Sequence, residues 1–572
     1  MPRSGLFCFM CVILSVLAFW LMSFTALTAQ GTPTTEGQEF WLVFQKNFRD
    51  YLEVPAEGEA EPEMQKGEPL ELGLTITSRY GCKGYIESAD GEFRQDFNLN
   101  AGEALMVDIN PWFQLTSSGI VEKKAVHVFA NQPVSVYGTN HRYQSTDTYL
   151  ALPVESLGTR YRVAGYKWLA PDLVSQLAVV ATEDNTIVEI TPNVGTREGR
   201  PATKPFTVRL NRGETWQVTP LFSPAYGSDL TGSLVRSSKP IAVYSGHNCA
   251  YVPSRQWKAC NILVEQLPPT QTWGKEFVLG PLDGQNSTVY RVIADEDGTE
   301  VFQNGKAVAT LSAGEFYEEE DLLEPVLLTA TGPVMVMQYA KGFTSPPPSG
   351  MIADSTGDPM MILVPPSAQF LKSYRFMTPF EGEWEHFVNV VLKQEDAAGL
   401  RLDGKPVSVG VFQPIPGSSY LFARVPVKAG PHALEGTGPF GVYSYGFGFG
   451  EKKFDAYGNN CGQALANIAG KSALKGEPEV YMFLEDRDYS GYRMTEFSIS
   501  EDAEDESEVL ATFAPEPIST DPFIITAAWV IPAGASERSD AEGDKPVKHD
   551  EQPMLEFVRL APGNHPGLDS RK

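Results

Sequence analysis

The stretch RSSKPIAVYSGH at residues 236–247 decides the fold. A polar turn carrying Pro240 leads into Ile241, Ala242, Val243 and Tyr244. This run of β-branched, small and aromatic residues is too short for a helix and has the character of a buried strand. The stretch recurs: FANQPVSVYGTN ends at Asn140, TATGPVMVMQYA at Ala340 and EGTGPFGVYSYG at Gly446. The shared prolines are Pro133, Pro240, Pro333 and Pro439. A near-constant spacing of roughly 100 residues means repeated supersecondary units.

Working outward, each unit divides into two half-units of about 50 residues, readable as four short strands apiece. One half-unit has an Asp/Gly turn, as in EDNT at 183–186 and EDGT at 296–299. Such residues suit tight hairpin turns because they tolerate positive φ. The other has a proline turn and then a Leu-Pro or Val-Pro step, as at Leu152–Pro153, Leu267–Pro268 and Val364–Pro365. Eight half-units can be counted, the last lacking a strand. The strand EFWLVFQ at 39–45 precedes the first and has no hairpin of its own. The expected architecture is all-β: an eight-bladed β-propeller-like ring of four double repeats, closed by that N-terminal strand pairing near 442–447. Closure would remove two exposed sheet edges. The alternative is four tandem β-sandwiches.

Residues 1–29 read as a secretory signal. Arg3 supplies the positive charge, an uncharged apolar run follows, and Ala26, Thr28 and Ala29 offer a small-residue exit. An uncleaved anchor is the competing reading, because the run is long enough to span a membrane; membrane contact is otherwise not expected. The repeat domain is assigned to 38–450, an acidic extension to 451–514 and a largely flexible tail to 515–572. The net charge of −27 argues against nucleic acid as a partner, since no Lys/Arg excess exists to displace counterions. In an exported chain Cys82, Cys249, Cys260 and Cys461 remain after the signal, an even number in an oxidising compartment. Cys249 and Cys260 flank a short loop and are expected to pair, which leaves Cys82 with Cys461.

No catalytic spacing is present: H-E-x-x-H, G-x-S-x-G and phosphate-binding Gly-rich loops are all missing. Of the seven histidines, His141 and His247 follow repeated strands at what reads as an equivalent place, the one arrangement that could make a metal or catalytic pair. They are read instead as strand-end polar residues. His127 and His432 should be partly exposed at strand starts, and His386, His549 and His565 carry no motif. Asp147 and Asp358 fall at related places in two units and could bind Ca²⁺, which needs several oxygen ligands; turn capping is the favoured reading, and no cofactor is implied. Trp168, Trp257 and Trp384 lie in loop-like stretches and are the candidate ligand contacts, because exposed loop aromatics anchor protein or glycan.

The motifs PVSVYGTN…STDTYLALPVESLGTRYRV, LAVVATEDNTIVEITP, KPIAVYSGH-x-CAYVP…AC…LVEQLPP…WGKEFVL and PFGVYSYGFG together resemble the IgGFc-binding protein N-terminal domain family over roughly 38–450. The resemblance implies a secreted bacterial member: an extracellular, cell-surface or periplasmic binding or adhesion module for a protein or glycan, without catalytic residues. The alternatives are a propeller-type enzyme acting on polysaccharide, which needs converging carboxylates in an axial pocket, and a structural envelope protein.

Overall fold

A computed structural model describes residues 33–465 except 49–50, 55–62, 67–68, 168–172, 222–227, 344–356 and 453, with backbone alone for the hairpin strands Tyr51–Val54 and Glu63–Lys66. Beyond residue 470, which begins a separate unit, the backbone of two strand pairs is described: Val480–Leu484 with Ile525–Val530, and Tyr492–Ile499 with Ala511–Pro517. The signal segment, Trp168, His549 and His565 lie outside the described residues.

Residues 33–465 are four copies of one seven-stranded unit. In repeat 1 the strands are β1 Gly37–Leu42, β2 Glu71–Thr77, β3 Cys82–Ser88, β4 Arg94–Leu99, β5 Ala104–Ile109, β6 Val126–Arg142 and β7 Ser145–Leu150. The strand β6 is long because it belongs to two sheets. Its first half pairs with β1 and β3, and β3 with β4. Its second half pairs with β2 and β7, and β2 with β5. The partner change falls at Pro133. Proline has no N–H to give a ladder, so it is tolerated where the ladder is handed over. The freed Pro133 carbonyl accepts a bond from Ser78 Oγ at 2.9 Å, and the Pro240 carbonyl one from Thr182 Oγ1 at 2.7 Å.

The same plan holds around β6 of repeat 2 (Leu234–Ala250), repeat 3 (Val326–Tyr339) and repeat 4 (Gly430–Gly448). The inner-sheet strand β2 of repeat 2, Ser175–Ala181, is buried at every residue. One face packs on its own outer sheet and the other on the neighbouring repeat, which is why the chain carries continuous apolar runs there rather than an alternation. Each repeat after the first begins where the previous β7 ends in a short 3₁₀ turn capped by Pro153, Pro269 or Pro366. These prolines press on the first residue of β1. A Cβ on Gly37, Gly158 or Gly274 would lie 2.2, 2.6 and 2.2 Å from the Cβ of Pro153, Pro269 and Pro366. In repeat 4 the first residue is Leu371, and the glycine has moved to the other side of the contact, at Gly462.

The repeats close on themselves, but not in the way the sequence suggests. The N-terminal strand stays in its own repeat, with Trp41 opposite His127. Among the described residues each repeat supplies two sheets built on four strands, with one strand added in repeats 2 and 4, yet they are joined in pairs by an unbroken β6, so they form four two-sheet units rather than eight blades. The tandem-sandwich alternative fits this unit. Closure comes from the β7 strands, which pack against one another around a common axis in the order 1–2–3–4–1. Repeat 4 meets repeat 1 through the Thr34–Ala464 bridge, the Thr35 N–H on the Gln463 carbonyl (3.0 Å) and Arg79 on Ser373 Oγ and carbonyl (both 2.7 Å). Tyr137 and Leu150 of repeat 1 join the apolar core of repeat 4. The final β7, Ala456–Asn460, lies beyond residue 450, so the repeat region ends near Leu465.

Candidate recognition surface

At the centre of the ring the geometry is fixed by one carboxylate. Asp147 Oδ1 accepts the N–H of Thr148 (3.0 Å) and Gly458 (3.3 Å), and Oδ2 those of Val264 (3.1 Å) and Met361 (3.3 Å). Strand pairing shows that these four N–H groups occupy one equivalent position in the four repeats. Burial pushes the Asp147 carboxyl well above the usual range, and the four donors pull it back. One layer nearer the loops, Asn261 Nδ2 donates to the carbonyls of Thr146 and Pro359 (both 2.7 Å) and Ala456 (3.2 Å). Glu265, also on the axis, accepts the Leu363 N–H at 2.8 Å, and burial raises its carboxyl far above the usual range.

Asp147 is not the turn cap favoured from sequence, since it lies within β7, and its geometry gives no support to the lesser calcium reading. Both Asp147 oxygens are committed to backbone donors. By strand register Asp147 is level with Met360, so Asp358 lies in a different layer. Among the described residues no three His, Cys, Asp or Glu side chains gather as a metal cage. Asp147 and Glu265 are buried and accept backbone N–H groups, so neither is the solvent-facing carboxylate that the polysaccharide-enzyme alternative requires.

The histidine pair dissolves for the same kind of reason. His141 pairs with Thr146 and His247 with Leu263, which places them one residue out of register and on opposite strand faces. His247 is buried and takes the Cys249 N–H on Nδ1 at 3.0 Å; burial pushes its pKa down to about 3. Burial and the nearby Lys452 push His141 down to about 4. His127 and His432 are buried rather than exposed, each held by carboxylates or carbonyls: His127 by Glu39 and Glu87 (3.0 and 3.1 Å), His432 by Asp403 and the Lys428 carbonyl (2.9 and 2.7 Å). His386 sits between Tyr457 Oη and the Phe380 carbonyl.

One end of the ring varies while the interior repeats. The loops between β6 and β7 span 143–144, 251–260, 340–360 and 449–455 in the four repeats. The second carries the Cys249–Cys260 disulfide. The loops lean on one another across repeats. Lys258 and Phe343 exchange backbone bonds at 2.8 and 3.1 Å, the Gly342 N–H reaches the Val252 carbonyl at 3.0 Å, and Phe343 stacks on Phe454 with ring centres 4.2 Å apart. Lys341 donates to Ser287 and Asp321 at 2.7 Å and lies 5.3 Å from the Trp257 ring centre.

The expected loop aromatics are not the exposed ones. Trp257 is 6% exposed and forms the underside of this loop cluster. Trp384 is 8% exposed, starts β2 of repeat 4 and stacks on Phe380. Cys82 and Cys461 are free thiols in separate core clusters, so the second disulfide is not formed; burial lifts the Cys461 thiol to about 12. The exposed large apolar residues of this end are Tyr143 (41%) and Phe449 (47%) in the loops before β7, with Trp112 (55%), Leu221 and Leu323 just past β5. Sequence reading missed them because Tyr143, Phe449 and Leu323 directly follow a strand, while Trp112 and Leu221 come within three residues of one. Superposing the four repeats would have shown that chain length and residue type diverge at those points.

Residues 147–446 match the family model described as IgGFc binding protein. The chain is 28% identical over 391 residues to the human (Homo sapiens) IgGFc-binding protein, covering 67% of this chain and 7% of that protein. The chain therefore spans a small fraction of the length of the curated relative it matches. Among the described residues no helix is long and apolar enough to cross a membrane.

Proposed function

The chain belongs to the IgGFc-binding protein family, and from that premise we propose that it is an exported, non-catalytic binding module that holds an extracellular protein or glycan on the loop end of its ring. The observation that carries the reading is the contrast at that end. The interior is locked by repeated backbone bonds, while the loops before β7 differ in length and present Tyr143 and Phe449 to solvent. Aromatic anchors on loops held by a rigid scaffold are the usual makings of a recognition surface. Export rests on the signal-like residues 1–29. The relative's name speaks of IgG Fc, which makes Fc the first protein to try. The test sets the full chain and a Tyr143→Ala/Phe449→Ala variant against a glycan array and purified extracellular proteins including Fc. Retention of one ligand class by the parent and its loss in the variant is expected. Uniformly negative panels, or binding indifferent to the variant, would overturn the assignment.

A further inference from the structure

Repeat 4 differs from repeat 2 along the outer edge of β5. In repeat 2 that edge, Thr215–Val218, is covered by an extended piece of repeat 1. Val121 and Glu122 pair with Trp216 and Thr215, and the Gly119 N–H donates to the Gln217 carbonyl at 2.9 Å. The Thr219 N–H donates to Ser118 Oγ at 2.8 Å. The covering piece belongs to the long β5–β6 connection of repeat 1, residues 110–125. In repeat 3 that connection is residues 323–325, whose reach of about 10 Å cannot lay a strand along the next repeat.

As a result, among the described residues, the outer edge of β5 of repeat 4, Tyr420–Val427, is strand-paired only at its start, where Gln413 and Pro414 pair with Phe422 and Leu421. Register fixes what is left. Val179, opposite Val243, faces Trp216, and Val390, opposite Val442, faces Ala423. Arg424 is thus the counterpart of Gln217, the residue whose carbonyl takes the covering strand in repeat 2. Along this stretch runs a groove of about 650 Å³. Leu402, Val407, Val425 and Val427 give it an apolar floor continuous with the core of repeat 4. Its exposed cations are Lys405, Arg424 and Lys428; its one carboxylate, Asp403, is also exposed but engaged by His432 and the Ala433 N–H, both at 2.9 Å. Arg424 lies 3.4 Å from Asp283, and among the described residues no ion pair reaches Lys405 or Lys428. In a chain of net charge −27 this is a cationic lining.

We propose that this groove is a second binding site, which takes an acidic, extended segment of a partner protein as an added strand along β5 of repeat 4. Main-chain bonds to Arg424 would repeat those that Gln217 receives, apolar side chains of alternate residues would enter the Val-lined floor, and carboxylates would meet Lys405 and Lys428. The site is independent of the loop end, so either assignment can fail alone.

The full chain is titrated with a synthetic peptide of alternating Glu and Val, its Lys-Val counterpart and a sulfated oligosaccharide. The Glu-Val peptide should bind, weaken with salt, and protect the Arg424 amide from hydrogen exchange. Lys405→Glu/Lys428→Glu, two exposed positions, should weaken it about tenfold or more with an unchanged unfolding midpoint. Binding by the oligosaccharide alone would replace the peptide assignment with a polyanion site. Peptide binding without protection at Arg424, or insensitivity to the double reversal, would overturn it.

Discussion

The ring axis and the loops that cap it are built from the same four β7 strands and obey opposite rules. Along the axis one residue serves all four repeats: Asp147 collects an N–H from each, and Asn261 gives its amide to three carbonyls. The other repeats then need no acid there and carry Leu263, Met360 and Tyr457 at the equivalent place. At the loops no residue serves all four repeats, and each repeat supplies a different length and a different side chain. Inside a closed ring a polar group must find its partners in protein, so the interior tolerates one solution. At the solvent end water satisfies the backbone, so sequence is free to diverge toward a ligand.

The sharpest way to break this contrast is Asp147→Asn. An amide keeps the size but turns one accepting oxygen into a donor facing two buried N–H groups. A loss of about 3–5 kcal/mol is expected from denaturant unfolding. A loss under about 1 kcal/mol would mean the carboxylate fills space rather than ties the repeats. The disulfide lies at the border between the two regimes. Removing it with Cys249→Ser/Cys260→Ser frees a chain separation of 11 residues and should lower stability by about 2–3 kcal/mol. Proteolysis of the double variant should begin inside 250–260, with the ring intact.

The axis was invisible in sequence for a physical reason. The recurring Pro-aromatic stretches gave the period, the four units and the buried strands, because those depend on local pattern. What pattern does not carry is continuity through the proline. A chain that turns at Pro133 and one that runs straight through it share the same alternation, so two blades and one long strand read alike. Asp147 looked like any acid near a turn, because its donors, Val264, Met361 and Gly458, are far away in sequence. The cysteines divide the same way: Cys249 and Cys260 are close enough in sequence to be read as a pair, whereas Cys82 and Cys461 depended on a closure that the chain makes with other residues. Trp257 and Trp384 sit in irregular sequence, yet neighbouring side chains cover them. Lys341 of repeat 3 covers Trp257, and Phe380 and Tyr457, from the preceding connection and from β7 of the same repeat, cover Trp384.

Acid probes the boundary between axis and loops. His247 and His141 hold pKa values near 3 and 4 when folded, against about 6.5 in the unfolded chain. Between those limits the unfolded chain binds more protons, so stability is full above about pH 6.5 and falls as pH drops toward 4. Each histidine contributes a slope of about 1.4 kcal/mol per pH unit. His247→Asn keeps an acceptor for the Cys249 N–H and should remove one such slope from midpoints measured at pH 7, 6 and 5. An unchanged slope would show that His247 takes up its proton without unfolding.

The smallest effect is the most informative about function. Tyr143 and Phe449 are exposed and lie on loops whose neighbours hold their own backbone bonds. Replacing both with alanine should therefore move stability by no more than about 0.5 kcal/mol. Removal of a binding anchor typically costs about 2 kcal/mol or more of affinity, roughly thirtyfold, so stability and ligand retention should separate cleanly in this variant. If they fall together, the loop end belongs to the folded interior rather than to recognition. The division between a locked axis and a free surface would then have to be drawn further out, at Trp112, Leu221 and Leu323.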